Sequence, residues 1–304
     1  MPPSPDYVVR PMTHADVPAA ERLTAEGFLE LDRRTSPRDA APPQLRSDAG
    51  AAAWRARVEH IVALDAPGCW VAERTGEGPA GELLGVAVSL RRELMWVLTT
   101  YVVRPGVQGM GVGRHLLDAA LGYGEGCLRG MLAASDDPRA ARRYRAAGFT
   151  LHPAMELTGP VDRDALPVVE HVREGTPADV DLLDSVDRQV RAAAHGPDHA
   201  LLVEHYPLVV HDRPSGSGYA YVEPGGGAYL LAATSRRAAT ALLWETLAAT
   251  APGGSASIGY VTADNEWAVD VGLAARMELR THGYLALRGI ARPPRPYLPS
   301  RHFL

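Results

Sequence analysis

The chain of 304 residues is 46% hydrophobic and 22% charged, with 30 glycines and 25 prolines, a composition of ordinary folded proteins rather than fibrous, disordered or membrane-embedded ones. Its length suggests two domains. A formal net charge of -5 without any long run of Lys or Arg lacks the electrostatic footprint of a nucleic-acid or anionic-membrane surface, so a small-molecule partner is expected.

The opening MPPSPDYVVRPM has neither the basic start nor the apolar core of a secretory signal, and no segment approaches the ~18 uninterrupted apolar residues of a membrane span. The expectation is a soluble, cytoplasmic protein. Cys69 and Cys127 are too few for a disulfide framework, and each lies in or beside an apolar stretch where a buried free thiol is usual.

From Val8, VVRPMTHADVPAAERL predicts a short strand, then Thr13 and Asp16 spaced to cap a first turn, then a helix. The pattern returns from Val172 as VREGTPADVDLLDSV, with Arg10, Thr13, Ala15, Asp16 and Val17 matched by Arg173, Thr176, Ala178, Asp179 and Val180 at constant offset. A second echo pairs Met155-Glu156-Leu157 with Met277-Glu278-Leu279. Two echoes in the same order indicate a duplicated domain, with one copy over residues 1–160 and the other over 168–304.

Within the first copy, RRTSPRDAAPPQLRSDAGAAA, between Asp32 and Ala53, has no periodic apolar pattern and reads as a mobile lid or an exposed connector. Gly68 to Glu73 and Leu83 to Arg91 read as strands joined through the turn-rich TGEGPAGE, and Leu94 to Val103 as a third. A glycine-rich loop follows, then a helix with an apolar face of Val112, Leu116, Leu117, Ala120 and Leu121. Leu128 to Ala134 is the next strand. Asp137-Pro138 then caps a helix that runs through Arg145 and stops at Gly148. The alternation is α/β.

The loop is the chemically informative stretch. In TTYVVRPGVQGMGVGRHLLDAAL, glycines stand between a strand and a helix, where backbone N-H groups and the positive end of the helix dipole can meet a phosphate. A nucleotide P-loop requires Lys and then Ser or Thr after its last glycine, but Arg114 and His115 follow Gly113. A dinucleotide fingerprint requires G-x-G-x-x-G and an acidic residue about twenty positions on, and neither is present. Gln108-Gly109-Met110-Gly111-Val112-Gly113, after Arg104-Pro105, instead resembles the Q/R-x-x-G-x-G/A signature of the GNAT acetyltransferase superfamily. DPRAARRYRAAGF, from Asp137 to Phe149, resembles a later motif of that family, and YVVRPMTHADVPAA resembles its first strand and helix. Together the three motifs cover about residues 7 to 157.

The resemblance implies two tandem GNAT folds of α/β (α+β) class, each a mixed, mostly antiparallel sheet flanked by helices. It implies acetyl-CoA as cosubstrate and an N-acetyltransferase that passes the acetyl group to a primary amine by direct attack. Backbone N-H groups of Gln108, Gly109, Met110, Gly111, Val112 and Gly113 would cradle the pyrophosphate, with Arg114 adding a charge-assisted contact. An N-H of Val102 or Val103 would polarise the thioester carbonyl. Tyr144 stands at the family's general-acid position, and a phenol with an ordinary pKa near 10 can protonate the departing thiolate. The base stays open, because Val97 occupies the position where some members carry Glu; Tyr101 and Glu93 are the candidates. Glu26, Glu30 and Trp54, with Glu59, lie where an acceptor amine would be walled in. Asp137 replaces the family's Asn and suffices as a helix cap. Arg139, Arg142, Arg143 and Arg145 are either a wet helix face or a contact to the cofactor's outer phosphate.

The second copy passes from strand to helix through LLAATSRRAATALLWETLAA without a glycine, and Asn265-Glu266-Trp267-Ala268 has no equivalent of Tyr144. It reads as a degenerate copy, structural or acceptor-binding, so one cofactor per chain is expected. No metal is expected: among the histidines at 195, 199, 205 and 211, His195 and His199 flank Gly196-Pro197, which breaks the helix that would align them. The tail PPRPYLPSRHFL is extended and packs along its own domain. The partners implied are a small-molecule or peptide amine acceptor, with no nucleic acid and no membrane, and a homodimer is one assembly open to it. The rival reading is a catalytically inactive acyl-CoA-binding regulatory or scaffolding protein.

Overall fold

The computed structural model describes residues 6–36, 42–76, 78–79 and 81–304. Contacts divide the chain into two compact units, Met1–Arg91 with Trp96–Cys127, and Arg92–Met95 with Leu128–Leu304.

In chain order the first unit is built from β1 (Tyr7–Pro11), α1 (Val17–Thr35), α2 (Asp48–Asp65), β2 (Cys69–Arg74), β3 (Leu83–Arg92), β4 (Met95–Val103) and α3 (Val112–Tyr123). The strands follow the order β1-β2-β3-β4, with β1–β2 and β2–β3 antiparallel. Each expected strand is present to within a residue or so. α1 starts where Asp16 accepts the backbone N-H of Thr13 at 2.8 Å and receives the Arg10 guanidinium through two bonds of 2.7 and 2.9 Å. Val17, Ala20, Leu23 and Thr24 are buried on one face of that helix, as a 3.6-residue period dictates. α3 buries Val112, Leu116, Leu117 and Ala120, while Leu121 is only half-buried. The stretch expected to be lid or connector is helical from Asp48, where Ser47 Oγ accepts the N-H of Gly50 at 3.2 Å. Residues 37–41 of that stretch lie outside the described residues, as do 77 and 80 of the expected hairpin turn.

The second unit continues with β5 (Arg129–Ala134), α4 (Pro138–Ala146), β6 (Thr150–Pro160), β7 (Val172–Glu174), α5 (Val180–Val190), α6 (Asp198–His205) and β8 (Leu208–Arg213). It is completed by β9 (Gly216–Val222), β10 (Ala228–Ala233), α7 (Arg236–Ala248), β11 (Ser255–Thr262), α8 (Glu266–Ala274), β12 (Glu278–Arg288) and β13 (Tyr297–Leu298). One run of strands has the order β5-β12-β6-β11 and a separate sheet the order β13-β10-β9-β8-β7. The core of the second copy packs Leu242, Leu243 and Leu247 of α7 against Ile258, Val261, Trp267 and Val271. Among the described residues, no helix is long and apolar enough to cross a membrane.

Both sequence echoes have a physical cause. Before α5, Asp179 accepts the Thr176 N-H at 2.8 Å and the Arg173 guanidinium at 2.5 and 3.0 Å, repeating the arrangement before α1. In both places the ion pair and the turn hold the carboxylate down to a pKa of about 2, with the arginine hydrogen bond as the largest cause. The Met-Glu-Leu echoes lie on β6 and β12, which pair antiparallel with Leu157 opposite Leu279. β12, the last long strand of the second copy, pairs with β5 and β6 of the first, and β6 pairs in turn with β11. This interleaving is why the compact units do not follow the repeat boundary read between residues 160 and 168.

Candidate active site

β4 delivers the chain into the glycine loop. Val102 is 7% exposed and lies against α1 at Gly27, where an added Cβ would come within 2.5 Å of Val102 Cγ1, so the helix approaches the strand this closely only because residue 27 lacks a side chain. Val103 is half-buried, and its carbonyl accepts a hydrogen bond from Gln108 Nε2 at 3.2 Å. Val97 is fully buried, and Thr99 Oγ1 donates to the Val88 carbonyl at 3.2 Å.

The loop itself is open. Gln108, Gly109 and Met110 are exposed, the last to 58%. Gly109 and Gly111 sit at φ of 94° and 90°, left-handed conformations that favour glycine. Gly111 is the N-cap of α3 and makes no side-chain cap hydrogen bond, so the first-turn N-H groups have no capping acceptor from that residue. Arg114, beyond them, is 74% exposed at its side chain and 3.5 Å from Asp118.

Several side chains hold the loop from below. Tyr101 donates to the Gly113 carbonyl at 2.6 Å, and an added Cβ at Gly113 would lie 2.5 Å from that hydroxyl. Tyr7 is buried, and its hydroxyl is 2.8 Å from His115 Nδ1 in the first turn of α3. Arg104 donates from Nε to the Leu83 carbonyl at 3.0 Å and pairs with Glu26 and Glu82 at 3.5 Å each. The structure therefore gathers Val102, Val103, Gln108, Gly109, Met110, Gly111, Val112, Gly113, Arg114 and Tyr101 around one strand-to-helix junction.

The acceptor-wall candidates are less uniform. Glu26 is exposed and paired with Arg104, Glu30 is half-buried, Glu59 is exposed, and Trp54 is a core residue 3% exposed with the Arg46 guanidinium 5.6 Å above its ring. The buried carboxylate here is Glu21, which receives Arg46 at 2.6 Å and ties the segment before α2 to α1. Sequence reasoning missed Glu21, although its place among the buried positions Ala20, Leu23 and Thr24 was a signal. It also missed Gly27 and the Tyr7–His115 pair, which join residues distant along the chain.

Two candidates belong to the second compact unit. Tyr144 is 5% exposed on α4, its ring edge-on to Phe149 at 6.5 Å, and Asp137 caps that helix by accepting the Arg139 N-H at 2.8 Å. Glu93, at φ of 52°, receives Arg188 Nε at 2.7 Å and the N-H of Ala194 at 3.3 Å. Of the α4 arginines, Arg139 pairs with Asp137 and Arg145 donates to the Phe149 carbonyl. Neither cysteine is in a disulfide; burial pushes the Cys69 thiol up to about 12, so it is inert as a nucleophile at neutral pH.

At the corresponding junction of the second copy, β10 passes directly to α7. Ser235 Oγ accepts the Ala238 N-H at 3.2 Å and caps the helix. β13 lies along β10, with Tyr297 opposite Ala232, so the tail packs on its own copy as expected.

Residues 28–149 match the model of the acetyltransferase (GNAT) family. No curated protein matches the chain. Among solved structures, a candidate acetyltransferase of Pyrococcus horikoshii superposes with a TM-score of 0.72 at 14% identity, covering 99% of this chain and 96% of that one. A GCN5-related N-acetyltransferase of Sphaerobacter thermophilus superposes with a TM-score of 0.57 at 16% identity, covering 94% and 96%. One from Kribbella flavida gives 0.57 at 15% identity, covering 93% and 70%. These likenesses establish the fold along nearly the whole chain, and residues 28–149 are similar to the acetyltransferase (GNAT) family.

Proposed function

We propose that the chain is an N-acetyltransferase using acetyl-CoA, active in its first copy. The observation that carries this reading is the α3 terminus: an exposed loop, left-handed Gly109 and Gly111, and first-turn N-H groups with no side-chain cap. Such a terminus is a ready acceptor for the cofactor's pyrophosphate.

The amine nitrogen attacks the thioester carbonyl, polarised by an N-H of Val102 or Val103; the C-S bond breaks, and Tyr144 protonates the thiolate. Holding a lysine-like amine neutral at pH 7 costs about 4 to 5 kcal/mol, because its ordinary pKa is near 10.4. Neither base candidate is placed to take the amine's proton directly: Tyr101 holds Gly113, and Glu93 holds Arg188 and Ala194. We assign Tyr101 to shaping the loop. The acceptor would be a small-molecule or peptide amine near Glu26, Glu30 and Trp54.

The engagement of Tyr101 and Glu93 favours the rival, an acyl-CoA-binding regulatory protein without turnover. A thiol-release assay with acetyl-CoA over small amines, aminoglycosides, amino acids, peptides and protein N-termini separates the two. Release with at least one acceptor is the expected result. A rise in Tm with acetyl-CoA but no release supports the rival, and no rise in Tm overturns both.

A further inference from the structure

Chemistry also collects in the second copy, between α5 and α6. α5 places Asp184 and Asp187 one turn apart, on the same face. The chain then reverses through Ala192 and Gly196, at φ of 64° and 58°, and brings back His195 and the α6 residue His199. His195 Nδ1 lies 2.6 Å and His199 Nε2 3.2 Å from the same oxygen, Asp187 Oδ2. His199 Nε2 is also 3.4 Å from Asp184 Oδ1. No helix spans His195 and His199, since α5 ends at Val190 and α6 begins at Asp198, yet the reversal aims both imidazoles at one carboxylate.

We propose that Asp184, Asp187, His195 and His199 form a structural site for a divalent transition-metal ion, with zinc the best match to the donors. One donor atom from each of Asp187, His195 and His199 lies within 4.8 Å of the others, and Asp184, outside that group of three, reaches it through the 3.4 Å contact to His199 Nε2. Two imidazoles and two carboxylates are a zinc-type set, and tetrahedral bonds of ~2.0–2.1 Å put neighbouring donors about 3.4 Å apart. The separations of 3.2 and 3.4 Å already meet that spacing, and the His195–Asp187 contact of 2.6 Å must open by roughly 0.8 Å.

The surrounding hydrogen bonds hold the donors as outer partners hold metal ligands. Tyr221 Oη is 3.0 Å from His199 Nδ1, Tyr219 donates to Asp187 Oδ1 at 2.6 Å, and the Gly196 N-H donates to Asp184 Oδ1 at 3.0 Å. Asp187, His195 and His199 are fully buried and Asp184 is half-buried, 16% exposed at its side chain, surroundings closer to those of a structural than of a catalytic ion. The two carboxylates face buried Arg191, whose Nη1 donates to the Ala193 carbonyl, and exposed Arg188, whose Nη2 is 3.8 Å from Asp184 Oδ2 and whose Nε meets Glu93, so the cation added beside fully buried Asp187 is either a metal ion or a proton on His199. A bound ion would pin the α5–α6 reversal.

Metal content decides between the two cations. Full-length protein, expressed with added zinc and purified without chelator or polyhistidine tag, is analysed by inductively coupled plasma mass spectrometry. About one equivalent of metal per chain is expected, and chelator-treated protein titrated with cobalt(II) should show the visible bands of tetrahedral cobalt. His199→Asn should lose both signals, whereas His205→Asn should keep them. Unmodified protein that carries no stoichiometric metal and gives no cobalt bands overturns the site and leaves a proton on His199. Metal retained by His199→Asn overturns the ligand assignment.

Discussion

The two strand-to-helix junctions, β4 to α3 and β10 to α7, separate a helix end kept open from one that is closed. Both copies begin with the same Arg-Thr-Asp cap, and both place a carboxylate five residues after it, Glu21 and Asp184, to hold the next segment. They part where the phosphate cradle would be. In the first copy Gly111 leaves the α3 terminus without a side-chain cap; in the second, Ser235 fills that role for α7. A capping serine stabilises its helix by about 1 kcal/mol and uses an N-H that an anion would need. Stability of the helix end and ligand binding therefore compete for the same donors, and each copy shows one outcome.

The comparison is broken most severely at Tyr144. Since α8 carries no tyrosine at the matching place, Tyr144→Phe should lower kcat by about 100-fold or more, with the Kd for CoA nearly unchanged by calorimetry. Turnover surviving that change would return the chemistry to another group or to the second copy. Gly111→Ala should weaken CoA binding by about tenfold, because a Cβ at φ of 90° strains the cap and would sit 3.3 Å from Tyr7 Oη. Ser235→Gly should leave CoA binding unchanged at one per chain; a second equivalent would mean that the serine alone had closed the second copy.

The shared cap gives a matched pair of pH predictions. Asp16→Asn and Asp179→Asn should each lower stability by about 1 kcal/mol at pH 7, measured by urea unfolding. Both carboxylates have folded pKa values of about 2, below the ordinary value near 3.9, so their contribution is complete above about pH 4 and is lost as pH falls toward 2. The deficit of each variant should shrink over that window. Ser235→Ala should have the smallest effect, about 1 kcal/mol or less, since the α7 terminus is partly solvated.

Much of this was legible because its causes are local. Thr13 and Asp16, three residues apart, bond to each other, and Gly109 and Gly111 announce a left-handed loop. Helix faces such as Val112, Leu116, Leu117 and Ala120 follow from period alone. The rest depends on partners far along the chain. Nothing near Tyr101 shows that its hydroxyl would be taken by Gly113, and nothing near Glu93 announces Arg188. The role of Gly27 is set by Val102, and the meeting of His195 with His199 depends on a carboxylate supplied by the preceding helix.

The interleaving of β6 and β12 bears on how such a chain can evolve. The second copy has no glycine at its β10-to-α7 junction and no counterpart of Tyr144, yet it lends β12 to both β5 and β6 of the first. A chain cut after residue 160 would leave β5 without β12 and β6 without β12 and β11, exposing three strand edges. A strand supplied to the sheet of another segment can thus be required of a stretch of chain that carries none of the candidate site residues.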